Sequence, residues 1–581
     1  MADEVDLHPE KYDIIIVGAG SSGCAAAAKL GSDSDLKVLI LENGDETLAT
    51  DPESMDQAKW THISYEQHGA NYKKFTYQYE TKAQKGIDNR IIAQLSGRGP
   101  GGSGRVNAGW YGPPYDEDLE EWVDKGCAGW GPGEMKKHLE ATSFMVSDKP
   151  EGKLGKAFCR AVEEVMDSKK LKAAVPQPGC QFDLETGERR DAFTSLLKPR
   201  LAANENVVLM AGWTAEKIII SQDGDTLNAT GILAYKTGLL AYNRKFELNP
   251  GGEILISAGA YGSPKLLMLS GIGPKEHLEN VGVDTLVDLP AVGQNLVDTP
   301  VCPIVMFSTG PKPKTQIANG LEAYVHYFSD RALEAGDKVA DMEYMCFDAQ
   351  NIAKYTAPRI FSLPLQQRTC AGYFMEGLIA AGVRSFQCIF PCLTNAMFNR
   401  SDIIFVAQHN AKSTGSVELQ SSSPAEDPII DPKLLSDPAD VEDLMEGMDN
   451  LYKILGNRNF QEYSRFEEYP GPRYCRMPWS HLKAPSKSFI KDNTIAHSHP
   501  TGTCRMGPVA GLTDLERKKL KDLGYRNPDT GTVLSSNLKV HGVNGLRVAD
   551  ASIIPRCNRG PTNSLCMAIG SKAAELILLD H

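Results

Sequence analysis

The sequence has no C-x-x-C pair among its 13 cysteines. That spacing is what a zinc ribbon or a dithiol redox motif needs, so its lack argues against both. Scattered cysteines in odd number fit free thiols in a reducing compartment. There is no dense block of Lys or Arg, and the net charge is −13, whereas a nucleic-acid surface needs a basic face. No apolar run approaches the length of a membrane span. Residues Met1 to Asp6 are acidic and lack the basic start and apolar core of a signal peptide. Leu578 to His581 carry no short retrieval or lipidation signal. No internal repeat and no low-complexity tract breaks up the chain. The expectation is a protein of the cytoplasm or an organelle lumen, with no membrane span, no nucleic-acid partner and no metal site. Hydrophobic content of 41% and charged content of 23% are ordinary for a globular chain. A length of 581 residues exceeds one simple core, so two or more domains are expected.

The most informative stretch is Lys11 to Asn43, which reads strand, glycine turn, helix, strand. Tyr12–Val17 is a short apolar, β-branched run of the kind buried on both faces. Gly18, Gly20 and Gly23 come next as G-x-G-x-x-G. Gly18 permits a tight turn, Gly20 lets a pyrophosphate approach the backbone, and Gly23 lets helix and strand pack closely. Ser22 to Leu30 is rich in Ala, a strong helix former. The helix N-terminus offers free N–H groups and a positive dipole end to phosphates. Ser22 sits within that turn, and Glu42 ends the second strand, where an acid accepts hydrogen bonds from ribose hydroxyls. Dinucleotide binding is the expectation.

A second glycine segment, Ser96 to Asn107, holds too many glycines for a regular element and fits backbone approach to a flat ligand. Asn206–Met210 and Glu216–Ile220 read as paired strands. Glu253–Ala260 reads as a strand entering a turn, with Pro264 in the first turn of a helix that Lys265 to Leu269 continue and Gly271 stops.

Gly101–Trp110 (Gly-Gly-Ser-Gly-Arg-Val-Asn-Ala-Gly-Trp) resembles the second flavin-contact segment of the glucose–methanol–choline (GMC) oxidoreductases. Tyr115–Trp122 resembles the Asp-x-x-x-Trp continuation usual in that family. Glu253–Pro274 is similar to that family's second signature almost residue for residue. Val292–Asp298, Lys412–Gln420, Asp427–Pro432 and Asn544–Pro555 are also family-like. The resemblance implies an α/β fold: a Rossmann-like FAD-binding domain with an inserted α+β substrate domain, a sheet floor with surrounding helices. The implied divisions are residues 1–125, 201–300 and 491–581 for the FAD domain, and 126–200 and 301–490 for the substrate domain. It implies FAD contacts at Gly18, Gly20, Ser22, Gly23, Glu42, Gly102, Ser103, Asn107, Asp550 and Asn563. Some members join a histidine of the glycine segment covalently to the flavin. None lies between Ser96 and Trp122, so FAD is expected to be non-covalent. A nicotinamide cofactor fits less well, because the further motifs match FAD contacts rather than a second Rossmann half.

Oxidation of an alcohol needs a base for the hydroxyl proton and the carbinol carbon held at the flavin. Histidine titrates in the useful range. His497–Gly507 closely resembles the family's H-P-x-G-T-C-x-M-G segment, which implies His499 as the acid/base; His497 and Cys504 are read as structural or packing residues. The chain departs from the family twice. Thr299 succeeds Asp298 where a histidine is usual. Pro561 occupies the position of the second active-site His or Asn, and proline has neither a side-chain donor nor a backbone N–H. Three readings are open: Asn563 or Asn558 substitutes through a local shift, His499 works with another partner, or the chemistry is not alcohol oxidation. Asn563 also begins the last helix and could cap it.

Three functions are therefore carried forward. The first is an FAD-dependent oxidase or dehydrogenase of a small or medium alcohol, with His499 and Asn563 catalytic and oxygen or a separate acceptor taking the electrons. The second is a non-oxidising flavoenzyme on the same fold, a hydroxynitrile lyase or a light-driven fatty-acid decarboxylase, the latter with Arg368 or Arg384 as a carboxylate anchor. The third is a flavoprotein without catalysis.

Overall fold

The computed structural model describes residues 11–56, 59, 70–144, 152–176, 179–183, 185–308, 320–348, 401–461, 464–469, 486–511, 513–556 and 559–581. Two seven-stranded sheets organise these residues. In the first, Tyr12–Val17 lies between Val38–Glu42 and the end of the long strand Leu239–Ile256, parallel to both. Val207–Ala211 joins one edge in parallel, and Leu546–Val548 pairs with Leu239–Ile256 on the other side. Ile14, Ile15 and Ile16 are fully buried, as a strand covered on both faces requires. The Ala-rich helix Ser21–Asp33 and the C-terminal helix Asn563–Asp580 pack together on this sheet. A Cβ at Gly570 would lie 2.0 Å from the Ser22 carbonyl oxygen, so the two backbones meet at a glycine.

Residues 207–211 and 213–223 do form strands, but they do not pair with each other. Val207–Ala211 takes the free edge of Val38–Glu42, while Trp213–Asp223 pairs antiparallel with Thr226–Lys236. The first half of Leu239–Ile256 continues that meander before its last residues enter the parallel sheet. One residue, Gly212, separates the two strands and takes φ 75°, the left-handed conformation that lets the chain turn from one sheet edge to the other.

The helix after Ile256 starts earlier than Pro264 suggests, spanning Gly259–Leu269 with the proline inside. An interior proline strands the carbonyl four residues back. Here that carbonyl, on Ala260, accepts the Thr503 hydroxyl at 2.6 Å. The motif containing the histidines therefore supplies the hydrogen bond that the proline removes.

The second sheet is antiparallel, in the order Ser464–Tyr469, Pro300–Ser308, Ser401–Gln408, Met342–Asp348, Leu321–Tyr327, Leu171–Val175. Helices Lys153–Val165 and Pro438–Leu455 pack on it. Ile495–Ala496 pairs with Pro300 and Val301 and brings the histidine segment to the edge of this sheet. Among the described residues no helix is long and apolar enough to cross a membrane. Eight cysteines there are free, seven of them buried.

Candidate active site

The two glycine segments close on each other. Gly18 has φ 103°, and a Cβ there would lie 2.4 Å from the Ser257 carbonyl oxygen; one at Gly23 would lie 2.0 Å from the Gly18 oxygen. Both positions exclude a side chain for reasons of space. Gly20 has open space on its side-chain face, and a Cβ on Gly102 would come within 2.9 Å of its Cα. Gly101 N–H donates to the Ala19 carbonyl at 2.7 Å. No side chain caps the helix that begins at Ser21, and no acid lies in its first turn. Its N–H groups thus remain free for an anion.

Glu42 is buried at the end of its strand. Its Oε2 accepts from Ala19 N at 2.9 Å, and Oε1 accepts from Gly44 N at 2.8 Å and Gly99 N at 3.1 Å. Burial raises its pKa, and the three N–H groups oppose that. A carboxylate has about four lone-pair directions, so the same group ties both glycine segments together and keeps capacity for a ribose hydroxyl. Replacing Glu42 with Gln is expected to weaken cofactor binding about 5- to 150-fold, because an NH₂ would face a backbone donor at a cost of about 1–3 kcal/mol. Fluorescence titration of the apoprotein with the cofactor checks this; an unchanged dissociation constant would rule out the tie.

Two buried arginines hold the second glycine segment, Arg105 from within it and Arg189 from outside. Arg189 donates from Nη1 to Gly104 O at 3.0 Å and Asn107 Oδ1 at 2.5 Å, and from Nη2 to Asn107 O at 2.8 Å. Burial lowers its pKa to about 9. Arg105 pairs with Asp191 at 2.9 Å, both fully enclosed. Asp191 also holds the N–H groups of Phe193 and Thr194. Ser103 Oγ accepts from Gly97 N at 3.0 Å.

From the C-terminal side, Asp550 Oδ2 accepts from Gly259 N at 2.9 Å and from the Ser263 hydroxyl, while Oδ1 caps the following turn at Ser552 N, 2.8 Å. Ser22 Oγ donates to the Cys566 carbonyl at 2.7 Å. Asn563 is the first residue of the last helix and does not cap it. Its Oδ1 accepts from Ser21 Oγ at 2.5 Å, and its Nδ2 donates to Gln181 Oε1 at 2.8 Å. The amide is therefore occupied at both ends, linking the first and last helices to the Arg189 region.

These segments surround a cavity of about 470 Å³. The first sheet and its turns line it with Gly18, Gly20, Ser22, Glu42, Trp213 and Asp550; the second glycine segment adds Gly102, Ser103, Asn107 and Trp110. The second sheet adds Val301, Met345, Phe347 and Phe405. His497, His499, Pro561 and Asn563 complete the wall. Of the residues singled out in the sequence as cofactor contacts, only Gly23 is absent from this lining, and its role is the close packing given above. Asn558, Arg368 and Arg384 lie outside the described residues.

The histidine segment is zipped in place on both sides. Val297 and Thr501 exchange two backbone hydrogen bonds, at 3.1 and 3.0 Å, and His497 N donates to Thr299 O at 2.9 Å. Between the two histidines Ser498 takes φ 62°, a conformation costly for a non-glycine residue and often held at functional sites. The rings of His497 and His499 have centroids 4.0 Å apart at 46°. Nδ1 of each is enclosed without a partner among the described residues, and both residues line the cavity. Burial depresses both: His497 falls to about 4, and His499 falls well below the usual range, with His497 and His409 adding to the effect. Asp298 Oδ1 accepts the His499 N–H at 2.9 Å, and burial raises that carboxyl to about 7 against backbone hydrogen bonds that lower it.

A parallel sheet with a glycine turn at an open helix N-terminus, and a second sheet closing the cavity over paired histidines, define a dinucleotide-dependent oxidoreductase fold. The GMC oxidoreductase N-terminal family model matches residues 12–301, and the GMC oxidoreductase C-terminal model matches residues 411–516 and 524–570. The chain belongs to the GMC oxidoreductase family. It is an FAD-dependent flavoprotein, and the cradle fits that cofactor: Gly20 is open, the helix end is uncapped, and Glu42 has acceptor capacity to spare. The chain is 27% identical over 595 residues to an oxygen-dependent choline dehydrogenase of Sinorhizobium fredii, covering 97% of this chain and 95% of that enzyme. It is equally 27% identical over 604 residues to a chloroplastic fatty acid photodecarboxylase of Chlamydomonas reinhardtii, covering 98% and 90%. Among solved structures, pyridoxine 4-oxidase from Mesorbium loti superposes with a TM-score of 0.72 at 23% identity, over 97% of this chain and 99% of that one.

Three parts of the site carry no clear signal in the sequence. Arg189 and Asp191 lie in a stretch that resembles no motif. His497, expected to be structural, lines the cavity beside His499. The H-x-H spacing alone gives no such signal, because alternate residues share a face only in extended chain, and here the left-handed Ser498 lies between the two rings.

Proposed function

We propose that this chain oxidises the CH–OH group of a small or medium uncharged alcohol, with His499 as the acid/base. The observation that carries the proposal is the pair of imidazoles lining one cavity with a wall of Val301, Met345, Phe347 and Phe405. That wall suits the hydrocarbon part of a substrate. FAD, when bound, supplies the two-electron acceptor, which oxygen or a separate acceptor then discharges. Neutral His499 accepts the hydroxyl proton at Nε2, its own proton residing on Nδ1. His497, in the opposite tautomer, donates from Nε2 to the same oxygen. This assignment fills the role vacated by Pro561 with an imidazole; Asn563, held by Ser21 and Gln181, has one N–H left beside it. Asn563, Asn107 and Asp550 hold the cofactor cradle in shape, with Arg189 behind Asn107.

Anaerobic addition of primary alcohols, aromatic and aliphatic, is expected to bleach the flavin. The base is needed unprotonated, and burial disfavours imidazolium. Reduction is therefore expected to persist as pH falls past 6.5, the unperturbed value, and to fail only at lower pH, as His499 takes up its proton. A pH profile of kcat/KM reads this. An acid limb at or above 6.5, or no bleaching by any alcohol, counts against the proposal. Hydrocarbon release from a fatty acid under blue light, without bleaching by alcohols, would replace it with decarboxylation.

A further inference from the structure

The second sheet buries another cluster of chemistry-bearing side chains. His326 on Leu321–Tyr327 is the cross-strand partner of Glu343 on Met342–Asp348. His409 directly succeeds the next strand, Ser401–Gln408, which pairs with Met342–Asp348. The three residues are 3%, 0% and 2% exposed. His326 Nε2 lies 3.2 Å from Glu343 Oε1, and His409 Nε2 lies 2.8 Å from Glu343 Oε2. One ligand-type atom from each of the three lies within 4.8 Å of the others. Each carboxylate oxygen thus faces its own imidazole nitrogen. Among the described residues no Lys or Arg bonds to Glu343.

We propose that His326, Glu343 and His409 form a buried binding site for a divalent transition-metal ion, with zinc as the matching element. Two imidazoles and one carboxylate are a ligand set that zinc accepts, and a carboxylate binding through both oxygens brings the coordination number to four. A fully buried carboxylate needs a positive partner. A dication supplies one and leaves both histidines neutral, the form that ligates. One outer contact fits, on His326, whereas His409 Nδ1 is enclosed without a partner among the described residues. His326 Nδ1 lies 2.8 Å from the Tyr115 hydroxyl. That hydroxyl can accept from Nδ1–H, which fixes the ring and frees the Nε2 lone pair for the metal. The Arg559 guanidinium covers the Tyr115 ring at 4.1 Å and bonds to Asp118 at 3.2 Å, so Tyr115 is itself held. The ion would bind three neighbouring strands together and, through Tyr115, attach them to helix Asp116–Asp124. The opposing arrangement places a proton on each Nε2 and makes the cluster a purely hydrogen-bonded His–Glu–His unit. The two differ in metal content.

The test uses the full-length flavoprotein, untagged, purified without chelators and incubated with excess zinc. After gel filtration into zinc-free buffer, elemental analysis is expected to find about one zinc per chain, and Glu343→Gln is expected to retain less than about a tenth of that. Flavin content reports whether the variant has folded. Should Glu343→Gln fail to fold, Tyr115→Phe carries the test: it keeps all three ligands and is expected to weaken zinc binding about 10- to 100-fold in competition with a chromogenic chelator. Wild-type protein that emerges without stoichiometric zinc overturns the proposal. So does zinc retained unchanged by a folded Glu343→Gln variant, or an unchanged affinity in Tyr115→Phe.

Discussion

His499→Ala is expected to slow anaerobic reduction of the flavin by the best alcohol substrate about 10²- to 10⁴-fold, the usual contribution of a positioned general base. The variant should stay yellow, because the glycine turns, Glu42 and Asp550 form the cradle through contacts that do not use the imidazole. His497→Ala should also slow reduction, and the double variant should fall short of the product of the two effects, since two rings with centroids 4.0 Å apart act on one oxygen. Stopped-flow absorbance reads all three. Reduction by His499→Ala within about tenfold of wild type, with His497→Ala severely slowed, would reverse the two assignments.

Asp191→Asn is expected to have the largest effect on stability. The change keeps the shape and leaves the Arg105 guanidinium enclosed without its counter-charge. Breaking one side of a buried pair costs about 3–5 kcal/mol. The release of flavin on heating should move down by about 3–8 °C. Removing the stranded cation as well, with Arg105→Met beside Asp191→Asn, should recover part of that loss, because the amide oxygen can still accept from Phe193 and Thr194 and the penalty comes from the unpaired ion. A single variant with an unshifted melting profile would show that the pair is not what fixes the glycine segment.

The parts of the molecule legible in the sequence were those with local signals. Gly18, Gly20 and Gly23 come directly after a buried strand, and each meets the structure in the way its chemistry suggests: a tight turn, an open face, a close approach. Pro264 was legible as a helix residue but misplaced in its turn, because the compensating hydroxyl belongs to Thr503, far along the chain. The strand pairing of residues 207–223 was misjudged for a related reason. Consecutive strands usually pair, but here the edge of Val38–Glu42 captured the first of them. Arg189 and the Arg105–Asp191 pair gave no signal, since a buried ion pair joins residues with no fixed spacing. His326 and His409 lie 17 and 66 residues from Glu343 along the chain, and only the sheet register brings the three together.

The first helix and the last share one interface, sealed by Ser21 and Asn563 across 542 positions of chain. During synthesis the helix at Ser21 must therefore wait for those 542 positions to be translated before its partner leaves the ribosome. Until then the β-α-β unit that carries the glycine turn has one flank uncovered.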